Sequence, residues 1–597
     1  MRYQFFINVL DGIIREAPAR YGKKYPQPPA NADQLNQARS RALIHLFLKV
    51  RFGLTAFEDR ERTVTDGGYD GGVDAYHICR QTRKIYLLQS KFRTTEANFE
   101  SKEITSDELI AMDVDRITGG FEQDELGNEY SGKIKQLQRE ISEIADIGRY
   151  DYVVVLLANL ASSQRDRLSR LFGRHLIDVF PAERTYSELV FPVLSGTYFT
   201  ASDLVIPIDL SSKNAGSKIS YEVRTKYADC EITVLFVPAI EIARIMHLYK
   251  NAILKYNPRS YLEHEGQSVN NAIRQTVMDS DANELALYNN GITMLSEETN
   301  INERVGRRAS AQLYVRNPQI INGGQTSFTL SRIYSDPEID AEKVFGNKEI
   351  MLKVITVFDC SPDNKGRLID EISTATNRQT PVIGADRFAN DSFHLRVQKM
   401  IFDRYGVLYE RKRGEFADGV RDGYITLRVV IERNSFWRVY YAANGDIDQA
   451  AQKRLFQKNN FKEKILQDPA SFDRWAQGFR TYARIRSVLG SGMRFERSHY
   501  AMIFACVELS DRCLEPTDEA IDAILFSDGG FWDRFVSSIR ERSIADPQLF
   551  PGLLRKGKFS VNRYFKMPQS LRDVKQAVRR ERESGNHSNC DPIRPLQ

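Results

Sequence analysis

The sequence predicts a protein of the α/β class with several domains. Three observations favour this class. First, residues 66–91 join a glycine-rich acidic loop to two short strands. Second, residues 150–157 form a continuous apolar, β-branched run that is typical of a strand buried on both faces. Third, the chain from residue 432 onward has mainly helical periodicity. Because 597 residues are too many for one hydrophobic core, about three domains are expected.

A polar segment of small residues marks the first predicted domain boundary. Residues 211–217 read Ser-Ser-Lys-Asn-Ala-Gly-Ser, a composition typical of a flexible linker. We therefore place an N-terminal domain at residues 1–210, a central α/β domain at residues 211–431 and a mainly helical C-terminal region at residues 432–597.

The composition is that of a soluble globular protein, with 42% hydrophobic and 27% charged residues. No run approaches the ~18 consecutive apolar residues that a membrane helix needs, and the N-terminal apolar segment is too short for a signal peptide. The six cysteines are scattered without a Cys-x-x-Cys pair, which argues against a zinc site and a disulfide framework. We therefore expect a cytoplasmic protein without a membrane partner.

The acidic loop and its hairpin carry the first candidate site. Asp74 precedes one strand, and the next strand, residues 85–88, runs into Gln89-Ser90-Lys91. Because side chains alternate along a strand, Gln89 and Lys91 should share a face, and a short turn would bring Asp74 beside Gln89. Two oxygen ligands could hold Mg²⁺, while the lysine could stabilise charge on phosphoryl oxygens. The alternative is a glycine-rich acidic hairpin with a purely structural role.

This pattern resembles the Mrr-type branch of the PD-(D/E)xK restriction-endonuclease superfamily. The resemblance implies a restriction-endonuclease-like N-terminal domain with Asp74 and Gln89 as metal ligands, Lys91 as the catalytic lysine, and Mg²⁺ or Mn²⁺ as the cofactor. The sequence departs from the superfamily pattern in the helix that precedes the acidic loop, predicted at residues 34–54. Related nucleases often take a further acidic metal ligand from this helix, but no Asp or Glu occurs between residues 34 and 57. Asp70 or Glu58 would have to serve instead, or the metal would be held weakly.

Segments rich in asparagine and glycine form a second candidate site. In residues 317–327 an apolar strand, an Asn-Gly-Gly turn and the start of a helix follow one another, which is the arrangement of an anion cradle built from backbone N–H groups and the helix dipole. The anion-binding residues predicted for this site are Asn322, Gly323, Gly324, Gln325, Thr326, Asn377 and Arg378. Alternatively, the asparagines and glycines only shape tight turns.

The order of these segments, from about residue 257 to residue 464, is similar to that of the AIPR family, the abortive infection phage resistance proteins. Members commonly carry a nuclease-like N-terminal region with motifs that here read Asp70-Gly-Gly-Val-Asp74 and Gln89-Ser-Lys91. The resemblance implies an α/β AIPR core. Its Gly-Gly-Gln loop is also distantly similar to a loop of regulators with a ParB/sulfiredoxin-like fold, although Thr326 stands where those proteins have His.

The C-terminal residues 552–597 carry 11 Lys and Arg against 4 Asp and Glu, although the net charge of the whole chain is only +5. A tail of this kind can bind nucleic acid through phosphate contacts alone. The residues proposed for this role are Arg555, Lys556, Lys558, Arg563, Lys566, Arg579 and Arg580. The alternative is a solvated terminal helix at residues 570–583.

These observations support three hypotheses about function. In the first, the protein is an antiphage enzyme whose Mg²⁺-dependent endonuclease domain is controlled by the AIPR core. Its partners would be nucleic acid, with DNA favoured over RNA, and other defence proteins or a phage-derived trigger. In the second, favoured by the missing helix acid, the nuclease fold is inactive and binds DNA in a regulatory role. In the third, the protein is an inhibitor or toxin that acts through partners. A homo-oligomer is compatible with all three.

Overall fold

The computed structural model describes the whole chain except residues 27–30, 81, 106–111, 161–174, 198–204, 211–217, 258–266, 279–281, 304–310, 359–360, 377–391, 453–454, 456–462, 491–492, 511–515, 547, 549–552, 556–557 and 585–597. The chain divides into two compact units, the first formed by residues 1–382 and 412–427 and the second by residues 383–411 and 428–597. The domain boundaries expected at residues 210 and 431 stay predictions.

The first unit begins with three helices and a four-stranded sheet. The helices are α1 (Arg2–Arg15), α2 (Ala32–Phe52) and α3 (Phe57–Thr63). The strands, in their order across the sheet, are β1 (Ala75–Cys79), β2 (Lys84–Ser90), β3 (Asp151–Leu157) and β4 (Leu176–Val179). β1 and β2 form an antiparallel hairpin, whereas β2, β3 and β4 run parallel to one another.

Local sequence explains these elements. The Asn31 side chain accepts from the N–H of Asp33 and so caps α2, and Gly53 ends this helix in a left-handed conformation with φ of 66°. Along β2, Ile85 and Leu87 face an apolar core that also contains three residues of a later helix, whereas Tyr86 packs against Phe52 of α2. The sheet is therefore covered on both faces, as the apolar run in β3 predicts.

Helical segments lie between β2 and β3 and after β4. They are α4 (Glu96–Ser101), α5 (Val114–Thr118), α6 (Gly132–Ser142), α7 (Ala182–Arg184), a π-helical turn (Thr185–Val190) and α8 (Phe191–Leu194). Of these, α6 buries Ile134, Leu137 and Ile141 against the core beneath β2. The sequence also predicts a helix at residues 162–172, with Ser162 or Ser163 as its N-cap, and these residues lie outside the described part of the chain.

Two further sheets complete the first unit. Their strands are β5 (Val205–Leu210), β6 (Lys218–Arg224), β7 (Asp229–Pro238), β8 (Ile292–Ser296), β9 (Glu298–Glu303), β10 (Ala311–Arg316), β11 (Gln319–Asn322) and β12 (Glu349–Val357). One sheet has three antiparallel strands in the order β5-β10-β9. The other has five strands in the order β11-β8-β12-β7-β6, and of its neighbouring pairs only β12 and β8 are parallel.

The helices of this part are α9 (Ala239–Tyr249), α10 (Gln267–Met278), α11 (Leu285–Tyr288), α12 (Gly324–Tyr334), α13 (Ala341–Phe345), α14 (Pro362–Thr376) and, after the excursion into the second unit, α16 (Ala417–Arg421). Helix α9 shares one apolar core with α12 and with strands of both sheets. Its buried residues Ala239, Ile242, Ala243, Ile245 and Met246 form the apolar side of an amphipathic helix.

The second unit is mainly helical, as the sequence predicts from residue 432 onward. Its helices are α15 (Ser392–Tyr405), α17 (Arg433–Ala443), α18 (Ile447–Ala450), α19 (Pro469–Leu489), α20 (Arg497–Leu509), α21 (Asp518–Leu525), α22 (Phe531–Ala545), α23 (Val561–Tyr564) and α24 (Ser570–Glu583). Two small sheets pair β13 (Leu408–Glu410) with β14 (Val430–Glu432) and β15 (Leu554–Arg555) with β16 (Lys558–Phe559). Trp437 and Trp475 lie fully buried in its aromatic core.

These elements confirm a mixed α/β protein with several sheets. No helix in the described part of the chain is both long and apolar enough to cross a lipid bilayer.

A buried ion network joins the first three helices. Glu16, at the end of α1, accepts from Lys49 of α2 at 2.6 Å and also forms an ion pair with the fully buried Arg60 of α3. Burial alone would raise the pKa of Glu16, but the two cations outweigh burial and hold this pKa below its usual value. One carboxylate therefore compensates two buried positive charges.

Replacing Glu16 with Gln should be strongly destabilising, because both cations would stay buried without their anion. We expect the free energy of unfolding at pH 7 to fall by about 3–5 kcal/mol, measured by urea denaturation. Glu58→Gln is the matched control, since Glu58 is exposed and pairs with the equally exposed Arg20, and should change this value by less than about 1 kcal/mol. The contribution of Glu16 to the free energy of unfolding is fully present above the pKa that Glu16 has in the unfolded state. It is lost as the pH falls through the lower pKa that Glu16 has in the native state. Equal stabilities of wild type and Glu16→Gln at pH 7 would contradict this account.

Candidate functional site

The acidic loop folds back over the start of β1. The backbone N–H of Asp66 donates to the carbonyl oxygen of Asp74 at 3.1 Å. Between these residues the chain turns through left-handed conformations, with φ of 60° at Gly71 and 71° at Gly72. A side chain at Gly71 would also clash, because an added Cβ would lie 2.8 Å from Ile117 Cδ1. The paired glycines are therefore required by the path of this loop.

This path brings three carboxylates together. Asp66, Asp70 and Asp74 each place an oxygen within 4.8 Å of the other two. Asp70 accepts from two backbone N–H groups of its own loop, at 2.9 and 3.1 Å, and Asp74 accepts from the N–H of Ser90 at 2.6 Å. The sequence predicted Asp70 and Asp74 for this position but missed Asp66, which lies eight residues from Asp74 and reaches it only through the turn.

Helix α2 contributes an arginine to the acidic cluster, whereas related nucleases often take a further acidic metal ligand from this helix. The Arg41 guanidinium donates to Asp66 at 2.8 Å. Glu58, one of the two acids considered from the sequence, lies outside the cluster, since it is exposed and pairs with Arg20 at 3.3 Å. Of the two alternatives, Asp70 is therefore the acid that the fold places beside Asp74.

Burial and like charge act together on Asp74. Removal of this carboxyl group from water, the largest cause, acts together with the charges of Asp70 and Asp66 to raise the pKa of Asp74 to about 7, against the opposing effects of the Ser90 N–H and of Lys91. The pKa of Asp70 is also raised, chiefly by burial. At neutral pH the ionised cluster is therefore electrostatically costly when it lacks a counter-ion.

Gln89 and Lys91 come from the end of β2, as predicted. Gln89 is almost fully buried, and its Nε2 donates to the carbonyl oxygen of Gly72 at 3.3 Å, so its amide group lies against the acidic loop. Lys91 follows the strand directly, and its backbone N–H donates to the carbonyl oxygen of Leu157 in β3 at 3.1 Å. The Lys91 charge acts on Asp74, whose pKa it lowers.

The donor set fits a divalent cation. Carboxylate oxygens are the ligands that Mg²⁺ and Mn²⁺ prefer, and Mg²⁺ is commonly held by only one or two of them together with water and phosphate. A dication would relieve the repulsion that raises the pKa of Asp74. Asp74 and Asp70 are the residues that would hold it, because Asp66 already has Arg41 as its partner.

The segment predicted as an anion cradle has the expected backbone. Strand β11 ends at Asn322, Gly323 adopts φ of 84°, and α12 starts at the next residue. Close packing also requires these glycines, because an added Cβ would lie 2.9 Å from Ile292 Cγ1 at Gly323 and 2.8 Å from Asn257 Nδ2 at Gly324. Both the cradle interpretation and the structural one are therefore compatible with this turn.

Several polar groups of the predicted cradle bond within the protein. Asn289 donates to Thr326 at 3.1 Å, and Asn322 accepts from the N–H that follows it at 2.8 Å. Gln325 is partly buried in the first turn of α12. Asn377 and Arg378 lie outside the described residues, so an anion site made by all seven residues stays a prediction.

The terminal helix predicted at residues 570–583 is present as α24. It buries Ser570, Val574 and Val578, which recur every four residues, and it turns a basic face outward. The proposed phosphate-binding residues Lys566, Arg579 and Arg580 are exposed, although Arg579 pairs with Glu583, and Arg563 is partly buried. Lys556 and the side chains of Arg555 and Lys558 lie outside the described residues.

Fold and site together define a mixed α/β protein with an acidic hairpin suited to a divalent cation. Residues 254–476 match the family model described as AIPR protein, which confirms the resemblance to this family for that segment, a little over a third of the chain. No curated protein and no solved structure shows significant similarity to the chain. The nuclease-like and ParB/sulfiredoxin-like resemblances stay predictions.

Replacing Asp74 with Asn should stabilise the protein at alkaline pH. The native pKa of about 7 lies above the unfolded value of about 4, so the native state binds more protons between these values and stability falls as pH rises. We expect a higher Tm for Asp74→Asn than for wild type at pH 8 in EDTA, and equal Tm values below pH 4.

Mg²⁺ should raise the Tm of wild type at pH 8 and leave Asp74→Asn unchanged. Asp59→Asn, on the exposed side of α3, is the matched control and should behave as wild type in both experiments. A Tm of Asp74→Asn that falls below that of wild type at pH 8 would contradict the proposed burial of an uncompensated charge.

A second variant tests the packing of the Gly-Gly turn. Gly323→Ala places a Cβ at positive φ and 2.9 Å from Ile292, whereas Gly423→Ala meets the same strain at φ of 76° with open space around it. We expect Gly423→Ala to lower the free energy of unfolding by about 1–2 kcal/mol and Gly323→Ala to lower it clearly more. Equal losses, measured by urea denaturation, would show that the turn has room for a side chain.

Proposed function

We propose that the protein acts in abortive-infection antiphage defence and that its N-terminal region hydrolyses phosphodiester bonds in nucleic acid with a divalent metal. The observation that carries the proposal is the convergence of Asp66, Asp70 and Asp74 at the end of a hairpin that also presents Lys91. The AIPR match of residues 254–476 supports the role in defence.

Each group has a distinct task in this proposal. A bound Mg²⁺ or Mn²⁺ would polarise the phosphate and lower the pKa of the attacking water. Asp74 and Asp70 bind the metal, with Gln89 beside them, and the Ser90 N–H fixes the orientation of Asp74. Lys91 stabilises negative charge on the phosphoryl oxygens.

The topology around the site supports the same proposal. A helix precedes an antiparallel hairpin, and the hairpin is extended by two parallel strands, so the acids and Lys91 lie at one edge of a covered sheet. Lys91 also lines a small cleft with Arg93 and Lys102, which gives this edge a positive flank. Such a flank attracts the phosphate backbone that the chemistry requires.

The alternative function is that of a non-catalytic protein which binds nucleic acid in a regulatory role. The pairing of Arg41 with Asp66 favours it, because this pairing neutralises one acid of the cluster. The exposed basic face of α24 supplies a further surface for phosphate contacts. DNA is the favoured nucleic acid under both functions. Control of the nuclease by the central AIPR segment is part of the first function only.

Cleavage assays separate the two functions. With Mg²⁺ or Mn²⁺ the full-length protein should cut supercoiled DNA, and EDTA should abolish cleavage. Asp74→Ala and Lys91→Ala should each lower the rate by about 10²-fold or more, because each removes a metal ligand or a charge stabiliser. Gln89→Glu should retain or raise the rate, since a carboxylate binds Mg²⁺ better than an amide.

Asp59→Ala is the matched control and should cleave as wild type, because Asp59 lies on the exposed side of α3. An RNA substrate run in parallel decides between the two nucleic acids. Undiminished cleavage by Asp74→Ala would exclude this site. Tight DNA binding with no cleavage under either metal would favour the second function.

A further inference from the structure

The second unit contains a cavity of about 360 Å³ between α17, α19 and the first residues of α20. This volume lies near the lower end of the range of about 300–1,000 Å³ that is usual for small-molecule sites. Its lining residues are spread over positions 435–500, so three of its four arginines follow the AIPR-matching segment. None of them belongs to the acidic hairpin or to the predicted anion cradle.

The cavity is strongly basic. Arg438, Arg486, Arg494 and Arg497 line it together with a single acid, Glu496. Glu496 stands at the N-cap of α20, where its backbone N–H donates to His499 Nδ1 at 2.9 Å. The capped helix also directs the positive end of its dipole to this side of the cavity.

Two of the four arginines, Arg438 and Arg494, form no ion pair with a carboxylate among the described residues. Arg438 donates to two backbone carbonyl groups, those of Ala450 and Gln452, which orient the guanidinium but leave its charge. Arg497 pairs with Asp448. The cavity therefore suits an anionic ligand.

Aromatic rings form the apolar part of the wall. Tyr482, Phe495 and Tyr500 line the cavity, with ring centroids 4.7 Å apart for Tyr482 and Phe495 and 5.9 Å apart for Phe495 and Tyr500. The Arg486 guanidinium lies over the Tyr482 ring, 5.7 Å from its centroid. Rings beside guanidinium groups are the combination on which nucleobases stack while their phosphates are bound.

We propose that this cavity binds a mononucleotide, with the phosphate held by the arginines and the base against the aromatic wall. The charge favours an anionic ligand over a neutral one, the rings favour a ligand with a flat aromatic group over inorganic phosphate, and the volume of about 360 Å³ suits a monomer. The site is independent of the proposed nuclease, because all of its lining residues belong to the second unit.

Titration calorimetry of the full-length protein in EDTA tests this assignment. The probes are the four nucleoside 5′-monophosphates, inorganic phosphate and adenosine. At least one nucleotide should bind ten times more tightly than either inorganic phosphate or adenosine, because it alone offers both the charge and the ring. Equal affinities for phosphate and nucleotides, or no binding by any probe, would overturn the proposal.

Variants then locate the binding. Arg494→Gln and Arg486→Gln should each weaken nucleotide binding by about tenfold or more, and Phe495→Leu should weaken nucleotide binding but leave phosphate binding unchanged. Arg540→Gln, an exposed arginine of α22 outside the cavity, is the matched control and should bind as wild type. Circular dichroism and Tm identify any variant that fails to fold. If all three folded cavity variants bind the nucleotide as wild type does, the nucleotide site lies elsewhere and the assignment is wrong.

Discussion

The register of the β1–β2 hairpin is the constraint on which the candidate site depends. It pairs Ala75 with Leu88 and lets the Ser90 N–H donate to the Asp74 carboxylate. A slip of β1 by one residue would turn Asp74 away from the face that carries Gln89 and Lys91, and it would also move Tyr76 out of the core. The apolar residues that bury one face of the sheet therefore fix the position of the acids as well.

Two partly buried acids of the first unit have opposite electrostatic environments. Glu16 lies between Lys49 and Arg60, and its pKa is lowered. Asp74 lies beside two further acids, and its pKa is raised to about 7. The first arrangement favours the ionised form within the protein itself, whereas the second favours it only when a cation arrives from outside. A fold that keeps the second arrangement sacrifices stability at a place where a metal can restore it.

Local sequence was sufficient for the elements but not for every partner. Strands β2 and β3 and helix α24 follow from local sequence patterns over a few residues, and the structure has them within one or two residues of the predicted bounds. Asp66 was missed because its approach to Asp74 depends on the return of the whole loop. The arginine-lined cavity was missed because its residues lie on three helices that only tertiary packing brings together. Patterns within one element are visible in a sequence, whereas contacts between elements are not.

Residues 412–427 connect the AIPR-matching segment with the N-terminal region inside the first unit. Asn8 of α1 donates to the carbonyl oxygen of Tyr424 at 3.0 Å, and the Tyr424 ring lies directly against Gly12. Helix α1 packs in turn on α2, which supplies Arg41 to the acidic cluster. Part of the matched segment is therefore built into the packing of the helices that support the candidate metal site. An N-terminal fragment without this segment would lack the Tyr424 contact and leave that side of α1 exposed, so the acidic hairpin is best understood, and best assayed, in the intact chain.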